Sequence, residues 1–195
     1  VFDAAASDDL TGENLTIDRL ADASALDIHW AKDLYGALET NGQNPVERPL
    51  AAWNTAMATD GVLIHATGEV TKPVNIIYLQ SSESADAILH HVVKVDEGAK
   101  ITVLENGPAA ARYNTCLEVD IADEAEFHHV RTQGRDHERH ALTHMFARLG
   151  KESVFKCFTL TANGVLTRNE VVMELTGDDA TAHVAGACVG DSDFH

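Results

Sequence analysis

Eleven histidines and three cysteines are the side chains of this chain best suited to holding a soft metal or acting as nucleophiles. His137, His140 and His144 stand close together beside Glu138. The order His137-Glu138-Arg139-His140 is not H-E-x-x-H, and the three rings would share a face only on a helix. Alternation of His140, Leu142, His144 and Phe146 follows strand periodicity instead, so a turn leading into a strand is expected here and a zinc site is not. The doublets His90-His91 and His128-His129 fall near equivalent sides of successive repeats and read as surface or satisfied residues. Cys116, Cys157 and Cys188 form no C-x-x-C pair, and their odd number favours a reducing compartment. Cys157 falls in an apolar column and reads as packing, whereas Cys116 and Cys188 are open. Asp191, Asp193 and His195 form either a ligand cluster or a charged loop. Gly150-Lys151-Glu152-Ser153 lacks the upstream glycine of a phosphate loop and reads as a turn. No nucleophile elbow, dinucleotide fingerprint or kinase motif set is present, so no nucleotide site is expected on this chain.

The elements that must position these residues are repetitive. From His90 to Gly190 four segments superimpose at a 27-residue step. Val92, Val119, Phe146 and Met173 fall in one column, and Val103, Val130, Cys157 and Val184 in a second, and both are expected to face a core. Between the columns lie polar or small residues suited to a bend: Glu97-Gly98-Ala99, Glu124-Ala125-Glu126, Lys151-Glu152-Ser153 and Asp178-Asp179-Ala180. Flanking residues are β-branched or aromatic, as in Ile101-Thr102-Val103 and Phe155-Lys156-Cys157-Phe158, which favours strands. Stacked units of this length bury a continuous core, and irregular strands with turn glycines fit a parallel β-helix of about 27 residues per coil. The Leu-rich consensus of a leucine-rich repeat is missing, and a β-sandwich is the remaining alternative. Residues 60–195 are assigned to this core, with the last coil cut short.

Residues 1–59 are assigned to an N-terminal arm and short capping helices. Val1 to Arg19 reads as an entry strand or a loose arm. Asp27 to Leu38 places Trp30, Leu34 and Leu38 on one helical face, and Leu50 to Ala58 places Leu50, Trp53 and Met57 inward. Such helices are expected to cap the first coil, whose open edge would otherwise pair with another chain. Val62-Leu63-Ile64-His65 and Val74 to Leu79 form that coil.

A formal net charge of −17, from 14 Lys and Arg against 31 Asp and Glu, disfavours nucleic acid and anionic membrane surfaces as partners. No run approaches the roughly 18 apolar residues of a membrane span, and Val1 to Leu10 lacks the basic and apolar regions of a signal peptide. A cytoplasmic setting is expected, and the chain reads as a piece of a longer protein.

Several short motifs occur in a specific order. Leu50-Ala51-Ala52-Trp53-Asn54-Thr55-Ala56 leads into Asp60-Gly61-Val62, followed by Gly68, Pro73-Val74 and Glu97-Gly98-Ala99. Phe158-Thr159-Leu160, Gly164, Arg168-Asn169 and Leu175-Thr176-Gly177 come later. With these residues the chain resembles the SufB/SufD family of iron–sulfur cluster assembly scaffold proteins, on its SufD side. The resemblance implies a right-handed parallel β-helix and a role as a scaffold, not an enzyme by itself. It implies pairing with a SufB-like subunit and a SufC-like ATPase around a nascent iron–sulfur cluster, with self-pairing through the β-helix end as a further contact. It also implies that His195 lies where the family's His-containing stretch begins, which makes it the candidate metal ligand to the cluster. The rival functions are a β-helical carbohydrate-active enzyme and a non-catalytic repeat domain for protein docking.

Overall fold

β-Branched strands joined by short bends wind this chain into a parallel β-solenoid, in which each coil contributes one strand to each of two sheets. The computed structural model describes residues 3, 5–7, 11–79, 82, 84–107, 111–134 and 138–190. The chain enters through β1 (Thr11–Gly12) and β2 (Leu15–Arg19), then a short helix, α1 (Leu20–Ala23). A 3-10 turn (Trp30–Asp33) and two helices, α2 (Ala37–Asn41) and α3 (Pro49–Met57), precede the coils. The first coil is β3 (Val62–Ala66) with β4 (Val74–Ile77), and the next is β5 (Asp86–Val95) with β6 (Lys100–Gly107). Then come β7 (Arg112–Ile121) with β8 (Glu126–Gln133), β9 (His140–Leu149) with β10 (Val154–Ala162), and β11 (Leu166–Leu175) with β12 (Thr181–Val189). One sheet runs β1-β2-β3-β5-β7-β9-β11 and the other β12-β10-β8-β6-β4, parallel except where β2 joins β3 and β1 joins β2.

The bends repeat as expected. Gly98, Glu124, Glu152 and Asp179 all take left-handed backbone, with φ between 54° and 68°, at equivalent points of their coils. That conformation is unfavourable for a residue with a Cβ, and a stacked hydrogen bond offsets it at two of the three non-glycine positions. Glu124 N donates to Lys151 O at 2.8 Å and Glu152 N to Asp178 O at 2.8 Å, continuing the Gly98 N to Asp123 O contact at 3.0 Å.

Register departs from the uniform step. Val92 pairs with Glu118, Glu118 with Phe146 and Phe146 with Val172, so the steps are 26, 28 and 26 residues around a mean near 27. A slip of one residue turns a side chain to the other face of a strand. Val119 and Met173 therefore point inward as expected, but Val92 and Phe146 point out of the solenoid towards the helices. The inward ladder on this sheet is Val93, Val119, Ala147 and Met173. On the other sheet the ladder is Val103, His129, Cys157 and Val184, while Val130 lies on the outer face between Leu104 and Phe158.

The helices sit on a flank. β2 closes the open edge of the first coil by antiparallel pairing with β3, and α2 and α3 pack on the outer face of the longer sheet against β5, β7 and β9. The helix expected over Asp27–Leu38 is interrupted at Gly36, whose φ of 75° is left-handed and whose amide is drawn to Glu118. Within α3 the buried positions are Ala51 and Asn54, whereas Leu50, Trp53 and Met57 face outward at 45%, 46% and 54% exposure. A small side chain and a hydrogen-bonding amide let this helix lie close on the sheet, and that contact outweighs burial of the larger apolar residues.

Candidate functional site

Inward positions change character along each coil. Beside the bends they are Val93, Val95, Ile101, Val103 and Phe127, an apolar core. Towards the opposite, loop-lined edge they are His91, Glu105, Tyr113, His129, Arg131 and Gln133, all buried. Each of these polar groups has left water, so each must find a partner inside the solenoid.

Glu105 is the centre of that interior network. Arg131, its register partner on the next coil, donates from Nη2 to Glu105 Oε1 at 2.9 Å and from Nε to Oε2 at 3.2 Å. His129 Nε2 donates to Oε1 at 2.7 Å, and the Tyr78 hydroxyl donates to Oε2 at 2.9 Å. The tautomers follow from these partners. His129 has its proton on Nε2, so Nδ1 is free to accept from the Cys157 thiol at 3.4 Å. His91 Nδ1 accepts from Val62 N at 3.0 Å, so its Nε2 carries the proton and donates to Tyr78 Oη at 2.9 Å. Four successive coils thus send hydrogen bonds, directly or through a relay, to one carboxylate.

Electrostatics agree with this wiring. Burial alone would raise the Glu105 carboxyl, but Arg131 and His129 hold it well below the usual carboxylate range. Burial pushes His91 down to about 4 and lowers His129 despite the adjacent Glu105, so both rings are neutral near pH 7. Burial also pushes the Cys157 thiol up, which keeps it a hydrogen-bond donor and not a thiolate nucleophile. The array is a charge-balanced brace with little nucleophilic character.

A second buried group joins the helices to the sheet. Glu118 accepts from Gly36 N at 2.6 Å, from Glu39 N at 2.8 Å and from His90 Nε2 at 2.8 Å. His90 Nδ1 meets Asn54 Oδ1 at 3.1 Å, and Asn54 Nδ2 reaches the backbone oxygens of Leu89 and Asn114. Cys116 lies between His90 and His144 on the same face, with Leu38, Ala51 and Phe146 packed around it.

The histidines singled out by spacing are dispersed by the fold. His140 is exposed at the start of β9, and His144 is buried with Nε2 3.8 Å from Glu170 Oε2. His137, Asp191, Asp193 and His195 lie outside the described residues. The two doublets occupy different sheets, and alternation sends His91 and His129 inside while His90 and His128 point out. Cys157 packs in the core as expected, Cys116 is buried, and Cys188 is exposed. Lys151-Glu152 forms a bend, with Ser153 Oγ donating to Gly150 O at 2.7 Å. Among the described residues, no group of three or more His, Cys, Asp or Glu side chains is arranged to hold a metal ion. Glu105, Arg131 and Tyr78 were not singled out by spacing. For Glu105 and Arg131 the signal is a charge placed at the third inward position of a strand, after Ile101 and Val103 or after Phe127 and His129.

The repeating coils coincide with a family match. Residues 78–195, more than half of the chain, match the model of the SufBD core domain of the SUF system for FeS cluster assembly. The chain belongs to the SufBD core family. No match was found among curated proteins. Membership supports a role in SUF-system iron–sulfur cluster assembly, and the SufBD core match begins at Tyr78, the first residue of the interior network. No helix among the described residues is long and apolar enough to cross a membrane.

Proposed function

We propose that this chain is the β-helical core of a SufD-like scaffold subunit that works in the cytoplasm with a SufB-like subunit and a SufC-like ATPase, holding a nascent iron–sulfur cluster while it forms. The observation that carries this reading is the SufBD core match across the coils. The chemistry of the described residues supports a scaffold over an enzyme, because the buried nucleophile Cys157 is held as a neutral thiol. The cluster is cargo, with thiolates from the partner and His195 of this chain as ligands. A neutral imidazole adds an iron ligand without adding negative charge. Among the described residues β11 and β12 each have a strand neighbour on one side only, and such edges suit strand pairing with another β-helix. Co-expression of the full-length protein with SufB-like and SufC-like subunits from the same source should yield a stable complex that assembles a cluster. Failure to co-purify with either subunit would remove the basis for the proposal.

A further inference from the structure

His90, on β5, has a side chain with no exposure to solvent, and both of its ring nitrogens meet acceptors. Nε2 lies 2.8 Å from Glu118 Oε2, and Nδ1 lies 3.1 Å from Asn54 Oδ1. The Asn54 amide fits only one way round. Its Nδ2 points at the backbone oxygens of Leu89 at 3.1 Å and Asn114 at 3.0 Å, which can only accept, and at Asn114 Oδ1 at 3.1 Å. Asn114 is oriented in turn by its own Nδ2, which donates to Leu50 O at 3.0 Å. Asn54 Oδ1 therefore turns to His90, and only an N–H at Nδ1 satisfies it. Glu118 asks the same of Nε2, because its two oxygens already take the amide hydrogens of Glu39 at 2.8 Å and Gly36 at 2.6 Å. A neutral imidazole has a single N–H and would leave one of these buried contacts as lone pair against lone pair.

The surroundings suit a cation. The ring centroid of Tyr35 lies 4.2 Å from that of His90, within cation–π range. Glu39, on α2, brings a second buried carboxylate towards Cys116 and accepts from Thr55 Oγ1 at 3.2 Å and from Gln43 Nε2. The remaining titratable neighbours are neutral near pH 7 or already paired. Burial pushes the Cys116 thiol up and the Tyr35 phenol up to about 12, lowers His144, and pushes His91 down to about 4. Asp60, whose backbone oxygen accepts from His90 N at 3.0 Å, has its carboxylate on Arg19 at 2.8 Å.

We infer that His90 is an imidazolium with hydrogens on both ring nitrogens, and that its proton latches the helical flank onto the sheet, a pH-sensitive device that loosens as pH rises. Loss of the proton breaks the ring's bond either to Asn54, on α3, or to Glu118, which holds the amides at the start of α2. The inference rests on this cluster and stands apart from the proposed function.

Two measurements test it. In the native protein at pH 8, imidazole nitrogen NMR should show hydrogens on both nitrogens of the ring that contacts Tyr35, a signal missing in His90→Gln. A singly protonated ring at that place overturns the assignment, and the native protein alone decides it. Once the flank opens, His90 meets water and gives up its proton above about pH 6.5, so opening releases a proton. Hydrogen exchange in α2 and α3, corrected for its intrinsic rate, should therefore report an opening constant that rises about eightfold from pH 7 to 8. This window lies below the ordinary thiol and phenol values, so ionisation of Cys116 or Tyr35 on opening adds little. Asn54→Leu removes the acceptor at Nδ1 and should flatten that slope whatever it does to the level of protection, a change that a purely structural role of Asn54 would not produce. A flank whose opening is independent of pH in the native protein, or an equal slope in Asn54→Leu, overturns the latch.

Discussion

Glu105 and Arg131 face one another on adjacent coils, register partners 26 residues apart whose guanidinium and carboxylate meet at 2.9 Å with almost no exposure to solvent. Removing one member of such a pair leaves the other charge buried without compensation. Glu105→Ala should cost about 3–5 kcal/mol in denaturant unfolding, and replacing both residues by leucine should cost less than the sum of the two single changes. Strict additivity in the double-mutant cycle would show that the pair does not interact as described.

Acid should weaken the fold through the interior imidazoles. The folded pKa of His91 is depressed from 6.5 to about 4, so between those values the unfolded chain binds a proton that the folded chain does not. Its contribution is fully present above about pH 6.5 and falls away as pH drops towards 4, with about 3 kcal/mol as the upper bound. His129 and His144 shift in the same direction, and Glu105, whose folded pKa is depressed, adds a loss at lower pH still. Unfolding midpoints measured across this window should slope less in His91→Gln than in the native protein. Identical slopes would remove His91 from the account.

Glu118 should control the helical flank more than the solenoid. Glu118→Ala strands the amides of Gly36 and Glu39 together with His90 Nε2, a loss on the order of 3 kcal/mol. Hydrogen exchange should accelerate first in α2 and around Gly36, with β8 and β10 still protected. Uniform acceleration through both sheets would refute a local role.

Phe146 tests the register. Its ring is buried against Leu38 and Ala51, outside the solenoid. Phe146→Ala should cost about 3–5 kcal/mol and loosen α2, whereas Met145→Ala, on the inward face, should loosen the stacked coils. Indistinguishable exchange patterns for the two variants would contradict the alternating steps.

In the full-length protein, His195→Ala should lower cluster formation in the reconstituted three-component complex while leaving folding and pairing with the SufB-like subunit intact. Cys116, Cys157 and Cys188 should tolerate Ser or Ala, apart from a packing cost at the two buried positions. Unchanged assembly in His195→Ala, with abolition on replacing Cys188, would transfer the ligand role to the thiol.

The amino-acid sequence alone determined the mean period, the bends at Glu97-Gly98-Ala99 and its three counterparts, and the strand character around them. These are local properties, set by backbone preference and by alternation along a single strand. Which residues face inward was decided only by the tertiary structure. Steps of 26 and 28 average to the same period as a uniform 27, yet a difference of one residue sends Val93 inside and Val92 out. The interior network was hidden for the same reason. Glu105, His129 and Cys157 are separated by 24 and 28 residues and become neighbours only when three coils stack in that register. The outward turn of Trp53 and the break at Gly36 likewise depended on contacts made across the fold, where Asn54 and Glu118 supplied hydrogen bonds that helical periodicity does not encode.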